Sequence, residues 1–277
     1  MKPPLAYYGA KVTIAQQIAA LFPDHEHYVE PFAGSLAVLL AKRPSRMETV
    51  NDLDSRLMAF WRILRDRPAD LQRVCALTPH ARAEHIEAYQ PVPDDHPDPQ
   101  LEEARRVWVL LSQGRGGTLR RTGWRFYIDP AGSVTSMPGY LNGYLDRMAA
   151  AAERLARVSL ECRPALEVLE AYGAQPDVLM YVDPPYLGST RARNYRHEMG
   201  SDAEHRELAA ALEACRATVI LSGYHSPLYD DLYAGWHRHE IHTGTGQANQ
   251  WSPRTEVLWS NRPFPVADGL FDTAVIA

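Results

Sequence analysis

Val178-Leu179-Met180-Tyr181-Val182-Asp183-Pro184-Pro185-Tyr186 is the stretch whose reading decides the fold. Its apolar half has the length and β-branched content of a buried strand. Asp183, Pro184, Pro185 and Tyr186 then end it. Two prolines remove two backbone donors and fix φ, so the chain can neither extend the ladder nor freely start a helix. What remains is a stiff elbow. It presents one carboxylate, carbonyls without neighbouring N–H groups and one aromatic face. Such an elbow can hold a flat, amino-bearing ring. The same four letters read equally well as a proline-rich turn after a strand, so the rest of the chain has to decide.

Working outward, the flanking segments alternate strand and helix. Tyr28-Val29 reads as a strand, Glu30-Pro31-Phe32-Ala33-Gly34-Ser35 as a tight turn, and Leu36 to Ala41 as a helix. Strand, glycine turn and helix form the first unit of a Rossmann-like sheet, whose ligands sit at the carboxyl ends of strands. The full dinucleotide glycine pattern is absent, and Gly34 alone is as readily a structural turn glycine as a binding one. Met47 to Val50 reads as a second strand, ending at Asn51-Asp52-Leu53-Asp54. An acid there, about 20 residues beyond the first glycine turn, is placed to hold ribose hydroxyls. Asp54 also reads as the N-cap of a helix over 56–65, which leaves Asp52 as the better ligand. Upstream, Thr13 is positioned to cap a helix carrying Ile14, Ile18 and Leu21.

Residues 66–157 interrupt this rhythm. Helical pieces at 71–77, 82–89 and 101–111 surround a proline- and aspartate-rich linker at 91–99. A glycine-arginine loop follows, Gly114-Arg115-Gly116-Gly117, and then Trp124, Phe126, Tyr127, Tyr140 and Tyr144. Arg105, Arg106, Arg115, Arg120, Arg121 and Arg125 fall within 21 residues that contain no acid. Arginines interleaved with aromatics on a glycine-rich element suit phosphates and base faces. The competing reading is a solvated arginine loop with aromatics packed beneath it. Residues 142–157 read as one helix.

The strand-helix alternation resumes with a strand at 158–161, a helix at 165–172 and the elbow strand. A polar, basic loop (188–200) follows, with Arg191, Arg193 and Arg196. Asp202 is placed to cap a helix running to Cys215, and 218–222 is a short buried strand. Strands over 236–242 and 256–261, flanking a loop at 244–253, point to an antiparallel closing hairpin.

Composition narrows the class. The 277 residues are 45% hydrophobic and 23% charged, as in ordinary globular proteins. No apolar run approaches the ~20 residues of a membrane span, and the first residues lack a signal-peptide pattern, so a cytoplasmic location is expected. The three cysteines and eleven histidines lack metal-ligand spacing. The net charge of −5 disfavours a general nucleic-acid binder but leaves room for a local basic surface.

Taken in order, Tyr7-Tyr8-Gly9-Ala10-Lys11, Glu30-Pro31-Phe32-Ala33-Gly34-Ser35, Asn51-Asp52-Leu53-Asp54, Asp183-Pro184-Pro185-Tyr186 and Arg254-Thr255-Glu256-Val257-Leu258-Trp259 resemble the motifs of the Dam-like (D12 class) DNA adenine-N6 methyltransferases. The resemblance implies an α/β fold: a Rossmann-like class I S-adenosylmethionine-dependent methyltransferase sheet with a closing β-hairpin. Residues 1–65 and 158–277 would form the catalytic domain, and 66–157 an inserted, mainly helical target-recognition region. It implies S-adenosylmethionine as cofactor, contacted by Tyr7, Lys11, Glu30, Pro31, Phe32, Gly34, Ser35, Asp52 and Asp183. Glu30 to Ser35 would wrap its methionine end.

The implied catalytic set is Asp183, Pro184, Pro185 and Tyr186. Asp183 would accept hydrogen bonds from the target amino group, Pro184 would offer its carbonyl, and Tyr186 would stack on the base. Double-stranded DNA would be the substrate, met by Arg115, Arg120, Arg121, Arg125, Arg191 and Arg193. A cognate restriction endonuclease is the partner this implies, with no metal and no membrane. Two positions depart from the pattern. Leu36 stands where a second glycine is common, leaving the helix start less open to the cofactor, and Pro164 stands where an aspartate is common. Cytosine-N4 or RNA amino methylation, a small-molecule methyltransferase, or a catalytically weakened DNA- or cofactor-binding homologue are the readings left beside the main one.

Overall fold

The computed structural model describes residues 1–128, 135–187, 196, 199–247 and 250–265, with side chains undescribed at 243–254. The elbow strand is the fourth in the chain, β4 (Val178–Val182), and all five of its residues are buried. Side chains alternate across it: Leu179 and Tyr181 enter one core, and Val178, Met180 and Val182 enter the other. This is the pattern of a strand covered on both faces.

Around β4 lie β1 (His27–Glu30), β2 (Met47–Asn51), β3 (Ser159–Glu161), β5 (Thr218–Gly223), β6 (His237–Gln247) and β7 (Gln250–Ser260). They form one sheet in the order β3-β2-β1-β4-β5-β7-β6. The first five run parallel, in registers such as Val29↔Met180 and Val182↔Leu221. β7 pairs antiparallel with both β5 and β6. The strand order reverses between β1 and β4, which opens a crevice at their carboxyl ends where open α/β sheets bind ligands.

The helices are α1 (Ala15–Ala20), α2 (Ala37–Ala41), α3 (Ser55–Asp66), α4 (Pro68–Leu77), α5 (Arg82–Glu87), α6 (Pro99–Gln113), α7 (Met137–Leu145), α8 (Met148–Leu155), α9 (Ala165–Gly173), α10 (Asp202–Glu213) and α11 (Pro227–Leu232). α3 packs on α6 and α8. Phe60, Trp61 and Trp108 of this layer join Tyr28 and Tyr181 of the strands in one core. On the other sheet face, Leu169 of α9, Leu208 and Leu212 of α10 and Tyr229 of α11 pack with Val29, Val182 and Trp259. Among the described residues no helix is long and apolar enough to cross a membrane.

Four local expectations are corrected. Thr13 does not cap α1: Ile14 holds that position with no side-chain cap, and the Lys11 carbonyl accepts from the Ile14 N–H at 3.0 Å. The cap of α10 is Ser201 rather than Asp202. Its side chain and that of Glu204 form a reciprocal capping box, which satisfies two orphan donors at once. Residues 142–157 are two helices broken at Asp146-Arg147, where Leu145 O accepts from Gln72 and Arg147 donates to Pro3 O at 2.9 Å. Residues 244–253 are largely strand, because the β6–β7 ladder continues outward to Gln247↔Gln250. Cross-strand backbone bonds carry a polar, glycine-containing extension that has no apolar pattern to announce it. Asp54 caps α3 as read, accepting from Arg56 N at 3.0 Å.

Candidate active site at the carboxyl ends of β1 and β4

A cavity of about 280 Å³ opens at the β1/β4 crevice. Its wall carries Tyr7, Lys11, Glu30 to Ser35, Asp52, Asp183 and Pro185, residues drawn together from distant parts of the chain. The turn after β1 is held from several sides. Asn51, fully buried at the end of β2, donates through its amide to Pro31 O and Arg163 O and accepts from Arg163 N. Trp61 of α3 donates to Gly34 O at 3.0 Å. Gly34 itself sits at φ +48°, and a Cβ there would lie 3.0 Å from the Tyr7 ring. Backbone conformation and close approach therefore both require glycine.

Asp52 accepts from Gly34 N through Oδ2 and from Asp54 N through Oδ1, both at 2.9 Å. Two backbone donors thus orient its carboxylate on the cavity wall, and a carboxylate has further lone pairs for hydroxyl groups. Asp54, beside it, also takes an ion pair from Arg196 at 2.8 Å.

Leu36 keeps the left-handed backbone a glycine would have, at φ +56°, and turns its fully buried side chain into the core. It does not line the cavity, so the helix start is not narrowed by it. Pro164 does line the cavity, next to Ala165 and Leu166, and no acid occupies its place.

Glu30, also on this wall, is buried and accepts from the Tyr28 hydroxyl at 2.5 Å. Burial pushes its carboxyl up to about 8, against the lowering influence of that hydrogen bond and of Lys42. Lys11 is buried, and its ammonium bridges both oxygens of Asp183 at 2.7 and 2.6 Å. The same ammonium lies 4.9 Å from the centre of the Tyr186 ring.

Tyr186 is buried, with its ring 4.5 Å from that of Tyr224 and its hydroxyl donating to Glu256 at 2.7 Å. Ser222 donates to the same Glu256 oxygen at 2.6 Å. Burial raises the Glu256 carboxyl above its ordinary range, an effect that Lys11 opposes and Asp183 reinforces. Sequence reasoning does not single out Glu256, Ser222, Tyr224 or Asn51 as site residues. Glu256 and Asn51 lie within the quoted motifs, and that is the one signal that points to them.

The basic residues divide. Arg105 and Arg106 are drawn inward by ion pairs to Glu102, with Glu84 on Arg105, and so leave the basic surface. Arg115, Arg120 and Arg121 are exposed. Arg125 is half-buried, 4.1 Å from the Tyr140 ring and donating to the Tyr127 hydroxyl. Beside them His80, Trp124 and Phe126 stack in series, at 4.4 and 5.4 Å, with Arg82 over Trp124. The Gly117 carbonyl accepts from Tyr8 N at 2.8 Å, which ties the arginine loop to the N-terminal segment that lines the cavity. Arg191 and Arg193 lie outside the described residues.

A mixed sheet of this order, with Asp52, Asp183 and Pro185 on one cavity wall at its crevice, is the setting of a methyltransferase that uses an S-adenosylmethionine-type cofactor. Residues 7–247 match the family described as D12 class N6 adenine-specific DNA methyltransferase, and the chain belongs to that family. It is an adenine-specific DNA methyltransferase acting on DNA. It is similar to the Type II methyltransferase M1.LlaDCHI of Lactococcus lactis subsp. cremoris, 26% identical over 94% of this chain and 95% of the relative. Solved structures with a looser likeness include a precorrin 8w decarboxylase from Methanobacterium thermoautotrophicum (10% identity, 94% of each chain, TM-score 0.39). Another is a precorrin-6y C5,15-methyltransferase from Geobacter metallireducens (9%, 92% of each chain, TM-score 0.38).

Proposed function

We propose that the chain is a site-specific enzyme that moves a methyl group from S-adenosylmethionine directly to the N6 amino group of an adenine flipped out of double-stranded DNA. The observation that carries this reading is the placement of Asp183. Asp183 lines the same cavity as Asp52, at the crevice between β1 and β4. Asp52 receives ribose hydroxyls. Tyr7, Pro31, Phe32, Gly34 and Ser35 enclose the methionine end, and Glu30 faces its ammonium. The cofactor supplies a methyl group on a sulfonium.

The protein's task is positioning. An aromatic amine is a poor nucleophile because its lone pair is shared with the ring. Hydrogen bonds from its protons to Asp183 and to the Pro184 carbonyl favour a more tetrahedral nitrogen aimed along the line of transfer. Pro185 restricts ψ of Pro184, and with it the direction of that carbonyl. A base in duplex DNA cannot reach this depth, so it must be extruded. Stacking on Tyr186 offsets the unstacking, being worth roughly 1–3 kcal/mol per base.

Residues 66–157 act as the target-recognition region, with Arg115, Arg120, Arg121 and Arg125 meeting phosphates and Arg191 and Arg193 adding to them. A cognate restriction endonuclease reading the same sequence belongs to this proposal.

The test is transfer of labelled methyl groups to DNA of mixed sequence, followed by digestion to nucleosides. N6-methyladenine is the expected product. Asp183→Ala should lower the rate at least ~100-fold while its melting temperature stays near that of the parent. Substantial transfer by that variant would remove Asp183 from the chemistry.

A further inference from the structure

Lys11 occupies the place the substrate needs. Its ammonium engages both oxygens of Asp183 and sits over the ring of Tyr186. On the reading above, those are the acceptor for the adenine amino group and the surface on which adenine stacks. An ammonium buried at 7% exposure cannot simply be pushed aside, because a buried charge that loses its partner is strongly destabilised. A second carboxylate stands within reach. Glu256 Oε1 is 3.7 Å from Lys11 Nζ, so a movement of roughly 1 Å brings the pair to hydrogen-bond distance. Glu256 is itself fixed, since the hydroxyls of Ser222 and Tyr186 both donate to that oxygen.

We propose that Glu256 is a positioning residue that takes over Lys11 when the target base arrives. Lys11 exchanges Asp183 for Glu256, which frees Asp183 to accept from the adenine amino group while the lysine charge stays paired. This rests on the role assigned to Asp183 above. The exchange also explains why a buried strand carries a carboxylate at 256 at all. Val257 and Leu258, the next residues on β7, are fully buried and apolar. The Glu256 hydrogen bond holds the Tyr186 ring by its hydroxyl end, so lysine movement and ring position are linked through one oxygen. The described titratable groups facing Glu256 are Lys11 from the N-terminal loop, Tyr181 and Asp183 from β4 and its end, and Tyr186 from the elbow. β5 contributes the Ser222 hydroxyl, and the β6 residue paired across from it is Ile241.

The experiment uses the full chain with S-adenosylmethionine and methylatable DNA. Glu256→Gln keeps the size and the acceptor for Tyr186 and Ser222 but removes the charge. The single-turnover transfer rate at saturating DNA and cofactor should fall tenfold or more. Affinity for DNA and for S-adenosylhomocysteine, and the melting temperature, should stay within about twofold and a few degrees. The parent rate should climb with pH as the carboxyl, raised by burial, ionises, and that climb should be absent in Glu256→Gln. Glu256→Asp restores a carboxylate one methylene shorter and should recover both part of the rate and the pH dependence. If Glu256→Gln does not fold, the Asp variant carries the test alone: a rate with no rise over the same pH range overturns the proposal. Parent-like rate and pH profile in Glu256→Gln, with Asp183→Ala inactive, would overturn the exchange and leave the role of Asp183 intact. Activity in Asp183→Ala would instead overturn the underlying reading.

Discussion

Glu30 shows how a single buried side chain sets a pH dependence. Its carboxyl lies at about 8 in the fold against an ordinary 4.5, with burial as the main cause. Between those values the folded protein holds a proton that the unfolded chain has lost. Its contribution to stability therefore falls as pH rises through that window and levels off above it. Glu30→Gln should remove this fall, seen as a parent-minus-variant difference in urea midpoint that grows more negative from pH 5 to pH 8. The same proton opposes pairing with a ligand ammonium. Affinity for S-adenosylhomocysteine should thus tighten from pH 6.5 to 8, approaching about tenfold per unit well below 8, and calorimetric titration of Glu30→Gln should give weaker, pH-flat binding. A parent affinity independent of pH would mean that Glu30 does not meet the ammonium.

At the scale of one element, the start of α2 carries an unusual compromise. Leu36 holds a left-handed backbone, which costs a side chain roughly 1–2 kcal/mol, yet the residue is fully buried. Truncating a buried leucine costs about 2–5 kcal/mol, so burial wins and leucine is retained where glycine would be relaxed. The consequence is an inverted order of variants. Leu36→Ala loses the packing and keeps the strain, whereas Leu36→Gly loses slightly more packing and sheds the strain. Urea unfolding should find both less stable than the parent, with Leu36→Gly about 1 kcal/mol more stable than Leu36→Ala. The reverse order would show that the backbone at 36 is not held left-handed.

Elements also mark where the sequence is legible. Strands covered on both faces, such as β4, declare themselves by unbroken apolar runs, and Asp54 declares the start of α3 by its acceptor side chain. The Ser201–Glu204 box is written in the same language, but Asp202 is an equally good acceptor one residue along, so the sequence leaves the cap ambiguous. The outer half of the closing hairpin has no such text, since backbone pairing alone sustains it. Acids that line the cavity at strand ends, Asp52 and Asp183, are legible in that position from the sequence. Glu256 is not, because its meaning depends on Lys11, Tyr186 and Ser222 arriving from three other parts of the chain.

Over the whole molecule the question is how a chain of net charge −5 takes a polyanion. The arginines that sequence groups together are sorted by the fold. Arg105 lies between Glu102 and Glu84 as part of the framework around α6, while Arg120 and Arg121 face outward on the loop bonded to Tyr8. Only outward charges exchange counterions with DNA. The double variant Arg120→Ala/Arg121→Ala should therefore weaken DNA binding and reduce the slope of log affinity against log salt by about 2, close to 0.9 for each phosphate no longer neutralised. Arg105→Ala should do the opposite. It strips Glu84 of its ion pair and leaves Glu102 with Arg106 alone. This lowers the unfolding free energy by a partial share of the roughly 3–5 kcal/mol typical of a fully buried pair because the site is only partly buried, and it leaves the salt slope unchanged. Fluorescence anisotropy across a salt series, paired with thermal melts, separates the two. An unchanged slope in the double variant would place the DNA on another face, and a reduced slope in Arg105→Ala would mean that the α6 ion pairs open when DNA binds.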